Sequence, residues 1–132
     1  MKSKELEART KSFAIAVLAF LKSFERDAAS NVISHQLAKS ATSIGANYRE
    51  ANHAATHREF THKIGIVEKE TAESQYWLEL CIEGEYGNGE RAQTLLAEAG
   101  ELLAIFISIG RTAKQRAGTC SEADTPYVED EP

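Results

Sequence analysis

Two Glu-x-x-His pairs carry the most specific chemistry in this sequence: Glu50 with His53, and Glu59 with His62. Residues three apart on a helix share a face. Two such pairs, joined by a carboxylate from each of two facing helices, build di-iron or di-manganese sites in helical bundles. The protein would then be a di-metal carboxylate enzyme. The positions argue against it. Both pairs flank a single hairpin, and the part of the last helix that would reach the same end carries Arg111, Lys114 and Arg116, whose charge repels a metal ion. No GxxxxGK[ST] phosphate loop occurs. No serine, histidine and acid can be assigned as a triad, which is recognised by geometry. The sequence therefore predicts no catalytic site, no metal and no cofactor.

The two cysteines, Cys81 and Cys120, lack CxxC spacing and a neighbouring ligand cluster, so neither a disulfide nor a metal is assigned. Cys81 falls on an apolar stripe and reads as a small buried hydrophobe.

At 132 residues, with 42% hydrophobic and 27% charged residues, the chain fits one soluble globular domain. The N-terminus has no apolar h-region and no uninterrupted apolar run nears the ~20 residues of a membrane helix. A cytoplasmic protein without a membrane partner is expected. The net charge of −5 is uneven: residues 1 to 121 hold 15 bases and 15 acids, and five acids follow from Glu122 onward. With Pro126 and Pro132 in the same stretch, residues 117–132 read as a disordered acidic tail.

The elements that must position any site are helices. Both prolines lie in the tail, hairpin signals are missing, and apolar residues recur with helical period. Helices are predicted over 6–25, 30–53, 56–84 and 89–116, forming one domain, 1–116. Asp27 or Ser30 is placed to cap the second helix, and Thr56 with Glu59 has capping-box form before the third. The third carries Phe60, Ile64, Val67, Thr71, Ser74, Leu78 and Cys81 in steps of four and three, the spacing of coiled-coil-like packing. Gly84, Gly87 and Gly89 mark a turn, with Asn88 a candidate cap for the fourth. Links of a few residues make the fold all-α, an up-down-up-down antiparallel four-helix bundle.

Residues 36–51 organise that bundle. Ile33, Leu37, Ala41, Ile44, Tyr48 and Ala51 form an ordinary core stripe. Beside it run Gln36, Ser40, Ser43 and Asn47, whose small or polar side chains suit close contact with another helix or subunit and hydrogen bonding across it. The fourth helix has one stripe of Leu95, Ala99, Leu102, Phe106 and Ile109, and a second of Leu96, Leu103, Ile107 and Gly110. That surface exceeds the needs of an isolated bundle and suggests subunit contact. Trp77 lies beside the core stripe as a further candidate anchor.

Sorting charge by bundle end gives a dipole. The starts of helices one and three and the ends of two and four collect Lys2, Lys4, Arg9, Lys11, Arg49, Arg58, Lys63, Arg111, Lys114 and Arg116 against Glu5, Glu7, Glu50 and Glu59, a net +6. Lys22, Arg26 and Arg91 at the other end face Glu25, Asp27, Glu79, Glu83, Glu85, Glu90 and Glu98, a net −4. Helix-dipole complementarity does not predict bases at the start of helix one or acids at the end of helix three. In a cyclic assembly the basic ends share a face that attracts phosphate. Arg49, Arg58, Lys63, Arg111, Lys114 and Arg116 are the candidate nucleic-acid contacts; local ion pairing at a solvated end is the competing reading.

The segment Gln36, Leu37, Lys39, Ser40, Ala41, Ser43, Ile44 and Asn47, followed by Glu59-Phe60, Ala72-Glu73 and Trp77-Leu78, resembles the bacterial four-helix-bundle family associated with 23S ribosomal RNA intervening sequences. After Asn47 this chain has Arg49-Glu50-Ala51 in place of the family's usual Glu-Gly. The resemblance implies a homopentameric ring of bundles without established enzymatic activity. The accessory variability protein of diversity-generating retroelements is similar and is thought to bind nucleic acid and a reverse transcriptase. The sequence thus supports a non-enzymatic homo-oligomeric scaffold first, a nucleic-acid-binding accessory protein second and a di-metal enzyme third.

Overall fold

The computed structural model describes residues 1–117. They form α1 (Ser3–Leu21), α2 (Ala28–Asn52), α3 (His57–Glu83) and α4 (Gly89–Ala117), with no strand among the described residues. The acidic tail and Cys120 lie outside them.

Helix α1 departs most from expectation, starting three residues earlier than 6 and stopping at Leu21 instead of 25. Buried Ser3 and Leu6 pin its first turn, where Leu6 N–H donates to the Lys2 carbonyl. At its end the amides of Lys22, Ser23 and Phe24 each bond three residues back and the Ser23 hydroxyl donates to the Phe20 carbonyl at 2.7 Å, which tightens the chain out of the helix. Phe24 leaves the helix yet stays half-buried, edge-on to Phe20 with ring centroids 5.2 Å apart.

Caps set the other boundaries. The Asp27 carboxylate accepts from Ser30 N–H at 2.8 Å, while Ser30 itself is buried one turn into α2. Thr56 Oγ1 accepts from Glu59 N–H at 3.1 Å; the Glu59 carboxylate reaches Ala55 N–H at 2.8 Å, one residue before the amide an ideal capping box would use. Asn88 Oδ1 accepts from Arg91 N–H at 3.0 Å and starts α4. Helix α3 ends in a Schellman pair, Tyr86 N–H to the Cys81 carbonyl and Glu85 N–H to that of Ile82. The left-handed residue is Glu85 at φ 61°, while Gly84 stays right-handed at −88°. Gly87 also has positive φ, and a Cβ there would lie 2.5 Å from the Phe24 ring.

The helices pack in chain order around the bundle: α1 on α2, α2 on α3, α3 on α4, with α4 meeting α1 more lightly. The diagonal pairs α1/α3 and α2/α4 do not approach each other. Antiparallel register is fixed by Glu7 against Asn52, by Glu50–Lys63 and Ser40–Ser74, and by Gly100 near Gln75 and Gly110 near Glu68. The predicted stripes of α2 and α3 are buried to the last member, and Tyr48 meets Phe106 across the core at 5.3 Å. On α4 Leu95, Ala99, Leu102 and Phe106 are buried and Ile109 half-buried.

A left-handed backbone costs a residue with a Cβ about 1–2 kcal/mol. Glu85→Gly is therefore expected to raise stability by about 1 kcal/mol in urea unfolding; an unchanged or lowered midpoint would show that Glu85 contributes through its side chain.

Candidate interaction surfaces

Three of the four Glu-x-x-His residues are committed to local structure, and His62 is exposed. Glu50 Oε1 accepts from Lys63 Nζ at 2.7 Å, and His53 Nδ1 lies 2.8 Å from the Arg49 carbonyl. Glu59 caps α3. Among the described residues no three His, Cys, Asp or Glu side chains converge as metal ligands. Cys81 is buried, and burial pushes its thiol up to about 11, so it remains protonated and unreactive at neutral pH.

The division of charge between the two ends needs one correction. Arg9, assigned to the basic end, and Glu98, assigned to the acidic end, form a bidentate pair with both N···O distances 2.7 Å, and Glu101 lies 3.5 Å from the same guanidinium. The hydrogen bond to Glu98 raises the Arg9 pKa against the opposing effect of burial. α1 is much shorter than α4, and Arg9 is drawn to the N-terminal half of α4 instead of its basic end. Other basic-end candidates are engaged too: Arg49 lies 3.9 Å from Glu7, Lys63 holds Glu50, and Arg58 and Arg116 make contacts of their own. Arg111 and Lys114 differ. Both are exposed, neither forms an ion pair among the described residues, and with Glu68, Ile107 and Gln115 they line an open groove beside the α3–α4 seam.

The polar stripe of α2 faces α3 within one subunit. Ser40 is fully buried, its Oγ 2.8 Å from Ser74 Oγ, while Ser43 and Asn47 are half-buried and donate to the Lys39 and Ser43 carbonyls at 2.6 and 2.8 Å. Glu70 on the same seam has its pKa raised by burial and by Glu73, with Lys69 and Lys39 opposing. Gln36 is half-buried and level with Trp77, as the Ser40–Ser74 register requires. Trp77 packs partly on the core, with Nε1 3.4 Å from a Glu73 oxygen and its ring edge-on to Tyr76 at 5.0 Å.

Helix α4 keeps a surplus of apolar surface. By length and composition alone it is apolar enough to cross a membrane. Leu96 and Leu103 are half-buried, and Ile107 is 39% exposed. Sequence reasoning missed the exposed apolar side chains of Ile15, Leu18, Val32 and Tyr76. Ile15 could have been found, because it lies on the opposite side of α1 from Phe13, Val17 and Phe20.

The fold defines a small all-α four-helix bundle. Residues 4–108 match the family model for 23S rRNA-intervening sequence proteins, and the chain belongs to that family. It is similar to a crystal structure of a protein of unknown function from the S23 ribosomal protein family of Bacteroides thetaiotaomicron VPI-5482, with 34% identity over 84% of this chain and 99% of that one and a TM-score of 0.76. No curated protein matches. Neither likeness indicates an enzyme.

A half-buried bidentate pair couples more strongly than an exposed one. A double-mutant cycle of Arg9→Ala and Glu98→Ala is expected to give about 1 kcal/mol of coupling that falls in high salt. Coupling below about 0.3 kcal/mol would mean that the pair does not bind α1 to α4.

Proposed function

We propose that this protein is a self-associating four-helix-bundle scaffold that works by presenting surfaces, without chemistry of its own. The carrying observation is the second apolar stripe of α4, where Ile107 is exposed and Leu96 and Leu103 are only half-buried in one subunit. Lipid suits that surface poorly, since Glu98 and Glu101 fall within α4 and Arg9 of α1 binds both. A second copy of the chain suits it better, and membership of the family brings the expectation of a five-membered ring. Light scattering is expected to return a mass near five times the 14.5 kDa of one chain; the mass of a single chain would end this reading.

A second reading makes the basic end a nucleic-acid contact, favoured by Arg111 and Lys114, which have no acidic partner among the described residues. Cyclic symmetry would bring these pairs onto one face, where phosphate backbones bind with counterion release. Filter binding of DNA or RNA should weaken steeply with salt and drop at least about tenfold in the Arg111→Glu, Lys114→Glu double variant. Absence of binding at low salt, or binding indifferent to the double substitution, would sink it.

A further inference from the structure

Toward its C-terminal end one face of α4 changes from apolar to basic. Ile107, Arg111 and Lys114 are spaced by four and three residues and so share that face, and all three are exposed. Beneath them α3 comes close at the buried Gly110, where a Cβ would lie 2.9 Å from a Glu68 oxygen and 3.3 Å from Ile64. The result is an open groove with Ile107, Arg111, Lys114 and Gln115 on α4 and Glu68 on α3. Neither cation pairs with Glu68 or with any other acid among the described residues. Two unpaired bases against one half-buried carboxylate leave the groove positive.

The segment after α4 lies outside the described residues, and its sequence carries the complementary order. Gly118 directly follows Ala117, the last residue of α4, and glycine is the residue best suited to reverse the chain at a helix end. Glu122 and Asp124 come next, then Tyr127 and Val128, and from Glu122 onward there are five acids and no base. A segment running back along α4 passes Lys114, then Arg111, then Ile107. Acids therefore meet bases first, and apolar side chains meet an apolar one after them. The lengths agree as well: Lys114 to Ile107 spans about 10 Å of helix, and Glu122 to Tyr127 spans at most about 17 Å of extended chain. Thr125 precedes Pro126, which favours extended backbone between the acids and Tyr127.

We propose that residues 118–128 fold back on their own α4 and fill this groove, Glu122 and Asp124 against Lys114 and Arg111, Tyr127 and Val128 against Ile107. The contact lies within one chain and depends on neither reading of function above. It occupies the Ile107 end of the second α4 stripe and leaves Leu96 and Leu103 to a second copy. A polyanion reaching Arg111 and Lys114 has to displace the segment, which acts as a built-in competitor for the groove.

The test treats the full chain at low salt with a water-soluble carbodiimide, which joins an amine to a carboxylate it touches, and maps the joined peptides by mass. Lys114 is expected to be joined to Glu122 or Asp124. When ¹⁵N-labelled and unlabelled chains are combined in urea and refolded together, both peptides of a joined pair should carry the same label. The Tyr127→Asp, Val128→Asp double variant adds two acids and removes the apolar anchor; its yield of the Lys114 link is expected to fall at least about fivefold. No link from Lys114 to the segment would overturn the proposal, as would pairs of mixed label. A yield that holds or rises in the double variant would do the same, because nearness of opposite charges would then explain the link. None of these outcomes bears on self-association, which light scattering tests separately.

Discussion

Close approach of helices at small side chains is the constraint on which the rest of this bundle depends. At Gly45 a Cβ would stand 3.0 Å from Thr10 Oγ1, so α1 and α2 meet almost backbone to side chain. Gly110 brings α4 onto α3, where an added Cβ would lie 2.9 Å from a Glu68 oxygen and 3.3 Å from Ile64. Between them α2 and α3 close on the Ser40–Ser74 contact. Hydroxyls at such contacts must be satisfied within the helix, and they are: Thr10 donates to the Glu7 carbonyl, Thr71 to that of Val67 and Ser74 to that of Glu70. Buried polar groups left unbonded would cost about 1–3 kcal/mol each. Satisfied ones permit tight seams and fix the register between helices.

That register was partly legible in the sequence. The core stripes of α2 and α3 follow from helical period alone, and all of their members are buried. Ser40 was recognisable as a contact residue because an uncharged small stripe has no reason to face water; its partner Ser74 was visible as a polar member of an otherwise apolar heptad. Less legible were features decided by neighbouring chain segments. The left-handed residue after α3 is Glu85, although three glycines nearby are chemically better suited to that conformation. Helix α1 stops at Leu21 because Ser23 and a tight final turn take over, which no spacing of Phe20 and Phe24 discloses. The Arg9–Glu98 pair depends on how a short α1 lies against a long α4, and sorting charges by distance from helix ends put the two residues at opposite poles.

Charge at the basic end acquires a different meaning once local pairing is taken into account. Lys63 and Arg49 spend their charge on Glu50 and Glu7, and Asn52 adds a hydrogen bond to Glu7 at 2.8 Å. These contacts tie α1, α2 and α3 together at one pole, but Glu7 and Glu50 already count against the bases there, so the positive excess falls only by Arg9, which Glu98 holds. Among the candidate nucleic-acid contacts, Arg111 and Lys114 line one groove on α4 together with Ile107. Surface ion pairs of this kind contribute roughly 0–1 kcal/mol apiece, so they orient helices more than they stabilise them.

Diagonal placement of α1 and α3 keeps the exposed apolar side chains of the bundle apart. Ile15 and Leu18 stand on α1 and Tyr76 on α3, helices that do not approach each other. Large apolar side chains scattered in ones and twos are ordinary on a folded surface, and it is a contiguous patch that calls for a partner. On α4 the exposed Ile107 continues a stripe with half-buried Leu96 and Leu103, so apolar surface there is contiguous along one helix face where that of α1 and α3 is divided between two corners.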